Sequence, residues 1–181
     1  MTKLIILDRD GVINEDSDDY IKSPEEFVPL PGSLDAIARL KQAGWTVAVA
    51  TNQSGIGRGY YDEATLAAMH DKLARLLQAK GAAVDYIAWC PHTPDDDCDC
   101  RKPKTGLYKR IADHFGIDLA SVPVIGDSFR DLQAAMAVGA RPILVRTGKG
   151  GRTLEKHANE LDGIAVHADL AAAVDSLLRE A

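Results

Sequence analysis

Short apolar runs alternate with longer amphipathic segments along the whole chain. The runs are too short for helices and lack helical spacing, so each one predicts a strand buried in a parallel sheet. They cover residues 4–7, 45–50, 84–89, 122–125, 142–145 and 164–166. This alternation predicts an α/β fold of three layers, in which a Rossmann-like parallel sheet is covered by helices on both faces.

The segments between the runs carry apolar residues at every third or fourth position, which is typical of helices that pack one face on a sheet. The first helix is predicted to start near Ser33, and Asp62 is predicted to cap the second. The inward residues of the first four predicted helices are Leu34, Ile37 and Leu40; Leu66, Met69 and Leu73; Tyr108, Ile111 and Phe115; and Leu132, Ala135 and Met136. Two further helices are predicted over residues 154–161 and 170–178. We interpret residues 1–181 as one domain.

Two segments are predicted to be loops. The polar, proline-containing stretch from residue 15 to 32 is expected to arch over the sheet edge without a regular element. In the second segment, Gly55, Gly57 and Gly59 have the spacing G-x-G-x-G, and no helix is predicted to begin among them. This pattern favours a loop that turns tightly beside a ligand over a dinucleotide site.

Composition and charge narrow the class of protein. The 181 residues are 46% hydrophobic and 27% charged, which is ordinary for a globular protein, and the formal net charge of −6 is not that of a nucleic-acid binder. No apolar run approaches the ~20 residues of a membrane span, and we expect no signal peptide ahead of the first strand. We therefore expect a cytoplasmic monomer without nucleic-acid or membrane partners.

All three cysteines of the chain lie close together in one loop. Cys90, Cys98 and Cys100, with His92 among them, offer three thiolates and an imidazole, which is the ligand set of a closed tetrahedral zinc site. Disulfides are the alternative, but an odd number of cysteines in a cytoplasmic chain argues against them. Because four protein ligands leave no position for a catalytic water, we expect structural Zn²⁺ that stiffens the loop 90–100.

Polar residues follow three of the predicted strands. They are Asp8 and Asp10, then Thr51 and Asn52, then Asp127 and Ser128, and Lys102 follows the cysteine loop. An Asp-x-Asp pair alone favours an acidic turn after a strand over a metal site. However, parallel strands bring their carboxyl ends to one crevice. Two acids near a cation, a hydroxyl, a lysine and a further acid suit phosphoryl transfer, in which positioning and charge neutralisation carry the chemistry.

With these residues in this order, the chain resembles the haloacid dehalogenase superfamily. The matching segments are DRDG at Asp8 and Asp10, Thr51 at a strand end, Lys102 before a helix, and GDSFRD with Asp127 and Asp131. The resemblance implies the haloacid dehalogenase-like fold, Mg²⁺ as cofactor and an aspartyl-phosphate intermediate. The gaps between the motifs leave no room for the cap domain that larger members carry.

The resemblance also implies a role for each residue. Asp8 is the expected nucleophile and Asp10 the general acid and base, while Thr51 and Lys102 hold the phosphoryl oxygens. Mg²⁺ is expected on Asp8, the Asp10 backbone carbonyl and Asp127. Arg101 is placed to meet a second anionic group. Further candidates for substrate contact are Asp16, Asp19, Asn52, Gln53, Ser54 and Ser128.

The segments DRDGVIN, TNQSGIGRG and CPH followed by CDCRKPKTG are similar to those of the superfamily's heptose bisphosphate phosphatases. This narrower resemblance implies removal of the C7 phosphate from D-glycero-D-manno-heptose 1,7-bisphosphate, so the expected partner is a small sugar bisphosphate. Histidinol-phosphate phosphatases share the zinc loop and are the alternative. A zinc-stabilised binding protein without catalysis is the second alternative, although the complete set of acids, Thr51 and Lys102 favours an enzyme.

Overall fold

The structure, a computed structural model, describes residues 3–180, and its centre is a parallel sheet of six strands. The strands are β1 (Leu4–Leu7), β2 (Thr46–Asn52), β3 (Tyr86–Cys90), β4 (Pro123–Gly126), β5 (Arg141–Val145) and β6 (Ala165–His167). They lie in the order β3-β2-β1-β4-β5-β6, so β1 lies inside the sheet between β2 and β4. All pairs are parallel, as the alternation of apolar runs predicted.

Helices connect the strands and cover both faces of the sheet. They are α1 (Ser33–Gln42), α2 (Ser54–Gly57), α3 (Glu63–Gln78), α4 (Gly106–Phe115), α5 (Phe129–Ala137), α6 (Gly150–Lys156) and α7 (Leu170–Glu180), with 3₁₀ turns at Pro24–Glu26 and Ala158–Glu160. Asp62 caps α3 by accepting a hydrogen bond from the backbone N–H of Thr65. Gly116, with φ +63°, ends α4 in the left-handed conformation that glycine adopts without strain.

Alternate residues of β1 enter different cores. Ile5 and Leu7 pack with the apolar faces of α1, α3 and α7, while Leu4 and Ile6 pack with those of α4 and α5. Because both faces of β1 are buried, its sequence is a continuous apolar run without polar alternation. The two cores together fix the strand in register, with Leu7 beside Val49 of β2 and Ile125 of β4. The predicted three-layer α/β fold is confirmed.

The structure corrects four details of the sequence interpretation. A short helix, α2, begins at Ser54 and covers Gly55 and Gly57, and α6 begins at Gly150, four residues before the predicted start. Gly55 and Gly57 are therefore helical, and neither has room for a side chain, since a Cβ on them would lie 2.3 Å from Tyr61 Cε1 and 2.6 Å from Pro91 O. Met136 is 45% exposed because the buried face of α5 is centred on Ala134 and Ala135.

The loop from residue 15 to 32 contains only the 3₁₀ turn at Pro24–Glu26, yet it is anchored to the core. Phe27 is fully buried, and Ile21 is 6% exposed. In the described chain, this loop and α1 are all that separates Asp10 from β2, so no cap domain is inserted there. Nowhere in residues 3–180 is a helix both long and apolar enough to span a bilayer.

Candidate active site

The predicted catalytic residues meet at the carboxyl edge of the sheet, around a cavity of about 360 Å³. Asp8 and Asp10 follow β1, Asp127 follows β4, and Lys102 follows the cysteine loop. All four line the cavity. Thr51, within β2, is 1% exposed and is not among the residues that line the cavity; its hydroxyl accepts a hydrogen bond from Gln53 Nε2 at 2.8 Å.

Lys102 joins two of the carboxylates. Its ammonium group donates to Asp8 Oδ1 at 3.1 Å, to Asp131 Oδ1 at 2.6 Å and to the carbonyl oxygen of Ala50 at 2.7 Å. The residue is only 2% exposed. Burial opposes its charge, but the carboxylates of Asp131 and Asp8 raise the pKa of Lys102, so the ammonium form is favoured. A fixed positive charge therefore lies against the predicted nucleophile.

Asp8 and Asp127 form the acidic part of the site. Carboxylate oxygens of Asp8, Asp127 and Asp131 lie within 4.8 Å of one another. Burial and the nearby Asp131 carboxylate raise the pKa of Asp8 to about 7, and burial and Asp8 raise the pKa of Asp127 well above its ordinary value. The three carboxylates repel one another, and a hard divalent cation such as Mg²⁺, which prefers oxygen ligands, would reduce this repulsion.

Two glycines shape the space around Asp127. A Cβ on Gly11 would lie 2.0 Å from Asp127 Oδ2, and one on Gly148 would lie 2.3 Å from the same oxygen. Gly11 has φ +86° and Gly148 φ +56°, so a side chain at either position would also strain the backbone. The same oxygen accepts the backbone N–H of Lys149 at 2.8 Å. Backbone from two loops thus encloses the Asp127 carboxylate.

Asp10 is held by three side chains. Arg9 donates to Asp10 Oδ1 from Nε and Nη2 at 3.0 and 2.8 Å, and Asn14 Nδ2 donates to the same oxygen at 2.9 Å. Gln53 Nε2 donates to Oδ2 at 3.1 Å. Burial opposes ionisation of Asp10, but the Arg9 guanidinium and these hydrogen bonds lower its pKa below the ordinary value.

Several side chains predicted to contact substrate make contacts within the protein. Asn52 bonds the backbone of Lys102 through both ends of its amide, at 3.0 and 3.2 Å. Gln53 donates to Asp10 and Thr51 through Nε2 and accepts a hydrogen bond from the Tyr61 hydroxyl through Oε1. Ser128 caps α5 in a reciprocal arrangement with Asp131. All three residues also border the cavity.

The remaining predicted contacts lie on the rim or outside it. Ser54 lines the cavity, and Asp16 lines it while pairing with Lys149 Nζ at 2.6 Å. Asp19 is exposed and does not line this cavity. Arg101 lines the cavity together with Arg58 and Arg130. Burial, and then these two neighbouring guanidinium groups, lower the pKa of Arg101.

The four residues of the predicted zinc site also come together. One ligand atom from each of Cys90, His92, Cys98 and Cys100 lies within 4.8 Å of the others, and all three cysteines are free thiols. His92 Nδ1 is 3.4 Å from Cys90 Sγ and 3.2 Å from Cys100 Sγ. Three soft thiol ligands and one imidazole in such a cluster fit a zinc ion.

Sequence reasoning left three important residues out of the set of site residues. Asp131 lies in the segment GDSFRD, four residues after Asp127. This spacing could have predicted that the two carboxylates lie close together where α5 begins. Arg9 lies between the two predicted catalytic acids, where its full burial had no signal in the sequence. Tyr61, which orients Gln53, had none either.

Comparisons with known proteins agree with this fold and site. A family model described as HAD-hydrolase-like matches residues 99–173, and one described as polynucleotide kinase 3 phosphatase matches residues 3–129. Pseudomonas putida and Pseudomonas aeruginosa each have a protein named D-glycero-beta-D-manno-heptose-1,7-bisphosphate 7-phosphatase. These are 60% and 58% identical to this chain over 176 residues, which is 97% of this chain and 99% and 98% of theirs.

A solved structure is similarly close. The crystal structure of the D,D-heptose 1,7-bisphosphate phosphatase from Bordetella bronchiseptica, complexed with magnesium and phosphate, has a TM-score of 0.96 at 57% identity. The match covers 99% of this chain and 100% of that one. The parallel sheet and the acids at its carboxyl edge thus define a hydrolase of the haloacid dehalogenase class. Within that class, the chain belongs to the D-glycero-D-manno-heptose-1,7-bisphosphate 7-phosphatase family. The resemblance stated from the motifs is confirmed.

Proposed function

We propose that this protein is a Mg²⁺-dependent phosphatase that removes the C7 phosphate of D-glycero-β-D-manno-heptose 1,7-bisphosphate and leaves the heptose 1-phosphate. The observation that carries the proposal is the contact of Asp8 Oδ1 with Lys102 Nζ at 3.1 Å, beside Asp127 and Asp131. The β anomer is chosen because relatives that are 58–60% identical carry it in their names.

In the proposed reaction, a carboxylate oxygen of Asp8 attacks phosphorus, and the bond from phosphorus to the C7 oxygen breaks. This step requires the protonated form of Asp10, against which the Arg9 guanidinium acts by lowering its pKa, and that form gives its proton to the leaving oxygen as the sugar departs. Asp10 then takes a proton from the water that attacks the aspartyl-phosphate, which restores both acids and releases phosphate. Lys102 and Thr51 support the non-bridging oxygens, and the charge of Lys102 offsets the negative charge of the phosphoryl group.

Mg²⁺ fits the acidic part of the site. Asp8, Asp127 and the backbone carbonyl of Asp10 would hold the ion, and the raised pKa values of Asp8 and Asp127 reflect negative charge that a cation would compensate. When bound, the ion supplies charge neutralisation that lets an anionic carboxylate approach an anionic phosphate. Both oxygens of Asp131 already accept hydrogen bonds, one from Lys102 and one from Ser128, so we assign Asp131 to positioning Lys102 and not to binding the ion.

The second phosphate is assigned to the arginine side of the cavity. Arg101, Arg58 and Arg130 lie close enough that each neighbour disfavours the charge on Arg101, and an anionic group between them would relieve this repulsion. A guanidinium fork matches a phosphate better than it matches the amine of histidinol phosphate. This arrangement therefore supports a bisphosphate over the alternative substrate.

We assign Zn²⁺ to Cys90, His92, Cys98 and Cys100, in a structural role. Arg101 and Lys102 directly follow this cluster, and Arg101 Nη1 donates to the carbonyl oxygen of His92 at 3.3 Å. Fixing the loop therefore fixes the start of the segment that carries both cationic residues. Four protein ligands leave no open position for catalysis.

The proposal is tested by phosphate release from both anomers of the heptose 1,7-bisphosphate and from histidinol phosphate, with Mg²⁺ and with a chelator. We expect turnover of the β anomer to exceed that of the other substrates, to require Mg²⁺, and to leave the anomeric phosphate in place, as ³¹P NMR would show. Asp8→Asn serves as the control. Faster turnover of histidinol phosphate would contradict the proposed substrate.

A further inference from the structure

Arg9 is a buried cation to which no step of the proposed reaction gives a role. Its side chain is 0% exposed, so it cannot reach the substrate. Its guanidinium lies 5.3 Å from the centre of the Phe27 ring, and its Nη1 lies 3.3 Å from His70 Nε2 and 3.6 Å from Met69 Sδ. Burying a charged group this completely is costly unless it is paired and hydrogen-bonded. The one carboxylate it pairs with in the described chain is Asp10.

The hydrogen bonds divide the two oxygens of Asp10 into different roles. Oδ1 accepts three N–H groups, two from Arg9 and one from Asn14. Three donors exceed the two lone pairs of one carboxylate oxygen, so a proton has no room on Oδ1. Oδ2 accepts only the N–H of Gln53, which itself lines the cavity. One lone pair of Oδ2 therefore remains available, on the side of Asp10 that is not covered by Arg9.

Asn14 provides independent support. It is 0% exposed, and in the described part of the chain its Oδ1 has no hydrogen-bond partner. Its Nδ2 donates to Asp10 Oδ1 and to the carbonyl oxygen of Glu15 at 3.0 Å. An unpaired buried carbonyl destabilises a fold, so the placement of Asn14 is not explained by stability. It is explained by the hydrogen bond that Asn14 gives to Asp10.

We infer that Arg9, with Asn14, is a positioning residue that blocks Oδ1 of Asp10 and leaves Oδ2 as the oxygen that delivers and receives the proton. The O–H bond on Oδ2 would break as the leaving oxygen takes the proton, and it would form again as water loses one. The inference rests on the proposed function only in that Asp10 serves as the acid and base.

Leaving-group dependence tests this inference. A sugar or glycerol phosphate needs a proton on its leaving oxygen, whereas 2,4-dinitrophenyl phosphate has a leaving group stable as an anion. For both substrates kcat/KM reports transfer of the phosphoryl group to Asp8. We expect Arg9→Lys, which keeps the charge but loses the two-pronged contact, to lower kcat/KM for the alkyl phosphate about 100-fold and for the aryl phosphate less than about threefold.

Asn14→Leu removes one donor to Oδ1 without changing charge, and it decides the question if Arg9→Lys does not fold. We expect about a tenfold loss with the alkyl phosphate, no loss with the aryl phosphate, and a Tm no lower than that of the unaltered protein. Arg141→Lys is the matched control, since Arg141 pairs with Glu180 at the far end of β5 from the cavity. It should leave both substrates unchanged.

Equal losses with both substrates in either folded variant, or no loss with the alkyl phosphate, would overturn the inference. The experiment is independent of which sugar is the natural substrate. If heptose 1,7-bisphosphate is not hydrolysed but β-glycerol phosphate is, the proposed function fails while the ratio between alkyl and aryl phosphates can still be measured.

Discussion

At the scale of single residues, charge pairing in the buried site determines what each acid can do. Asp8 and Asp127 repel each other, while Asp131 is neutralised by Lys102 at 2.6 Å. Burial opposes ionisation of Asp131, yet the Lys102 ammonium lowers its pKa. Three acids within a few ångströms therefore differ in their protonation because each has a different partner.

Replacing Asp8 by Asn should abolish turnover and leave the protein folded. The amide has no nucleophilic oxygen, so we expect kcat to fall more than about 1,000-fold. Because the substitution also removes one of the repelling charges, Tm should be equal or higher. Phosphate release and calorimetry measure the two effects, and zinc content should stay the same. Retained turnover would exclude Asp8 as the nucleophile.

His70 gives a pH dependence of stability that the sequence did not predict. His70 lies on α3, and its Nε2 is 3.3 Å from Arg9 Nη1. Burial and the Arg9 guanidinium lower the pKa of His70 to about 4. In the unfolded chain the value is about 6.5, so between these two values the unfolded chain binds a proton that the folded protein does not.

The free energy of unfolding should therefore decrease as pH falls through this window. The variant His70→Gln keeps a hydrogen-bond acceptor for Arg9 but does not titrate in this range. The unaltered protein should lose more unfolding free energy than this variant between about pH 7 and about pH 4.5, by about 2 kcal/mol. Urea titrations of both proteins at the two pH values provide the measurement. The same pH difference in the variant would show that His70 does not carry it.

At the scale of elements, the sequence was most informative where burial and periodicity agree. β1, with both faces buried, was placed at residues 4–7 and lies at Leu4–Leu7. α2 was missed because a single turn containing two glycines has no periodicity. The start of α6 was missed because Gly150 and Gly151 are poor helix formers, although a Cβ on Gly150 would lie 1.8 Å from the carbonyl oxygen of Val145.

In the candidate site, too, some features could be predicted from the sequence and others could not. Residues at strand ends could be predicted to converge, because the topology of a parallel sheet brings them to one edge. The partners of a given amide could not be predicted, because they depend on contacts between residues far apart in the chain. Asn52 and Gln53 are examples, since one bonds the backbone of Lys102 and the other bonds Asp10.

The stability of the cysteine loop should depend on the proposed zinc ion. We expect Cys98→Ala and Cys100→Ala to lose zinc and to lower Tm by about 10 °C, which for a chain of this size corresponds to about 3 kcal/mol. kcat/KM should fall as well, because Lys102 follows this loop. Asp97→Ala, in an exposed position of the same loop, is the matched control. A variant without zinc that keeps its Tm and activity would contradict the structural role.

At the scale of the whole molecule, the sheet edge collects acids from β1 and β4 that stay close only in the folded state. An ion that binds the folded protein alone stabilises it by mass action, by about 2.7 kcal/mol at 100 times its dissociation constant. We therefore expect Mg²⁺ to raise Tm in the unaltered protein. Asp127→Asn should remove most of this effect while zinc content stays the same. Equal Mg²⁺ stabilisation in both proteins would place the ion elsewhere.

The direct route from β1 to β2 through one loop and α1 has a kinetic consequence. Because no cap domain is inserted between them, small molecules should reach a phosphorylated Asp8 through the mouth of the cavity, so small alcohols could compete with water as phosphate acceptors. In mixtures of water and methanol, part of the transferred phosphate should then emerge as methyl phosphate, in a share set by the alcohol concentration.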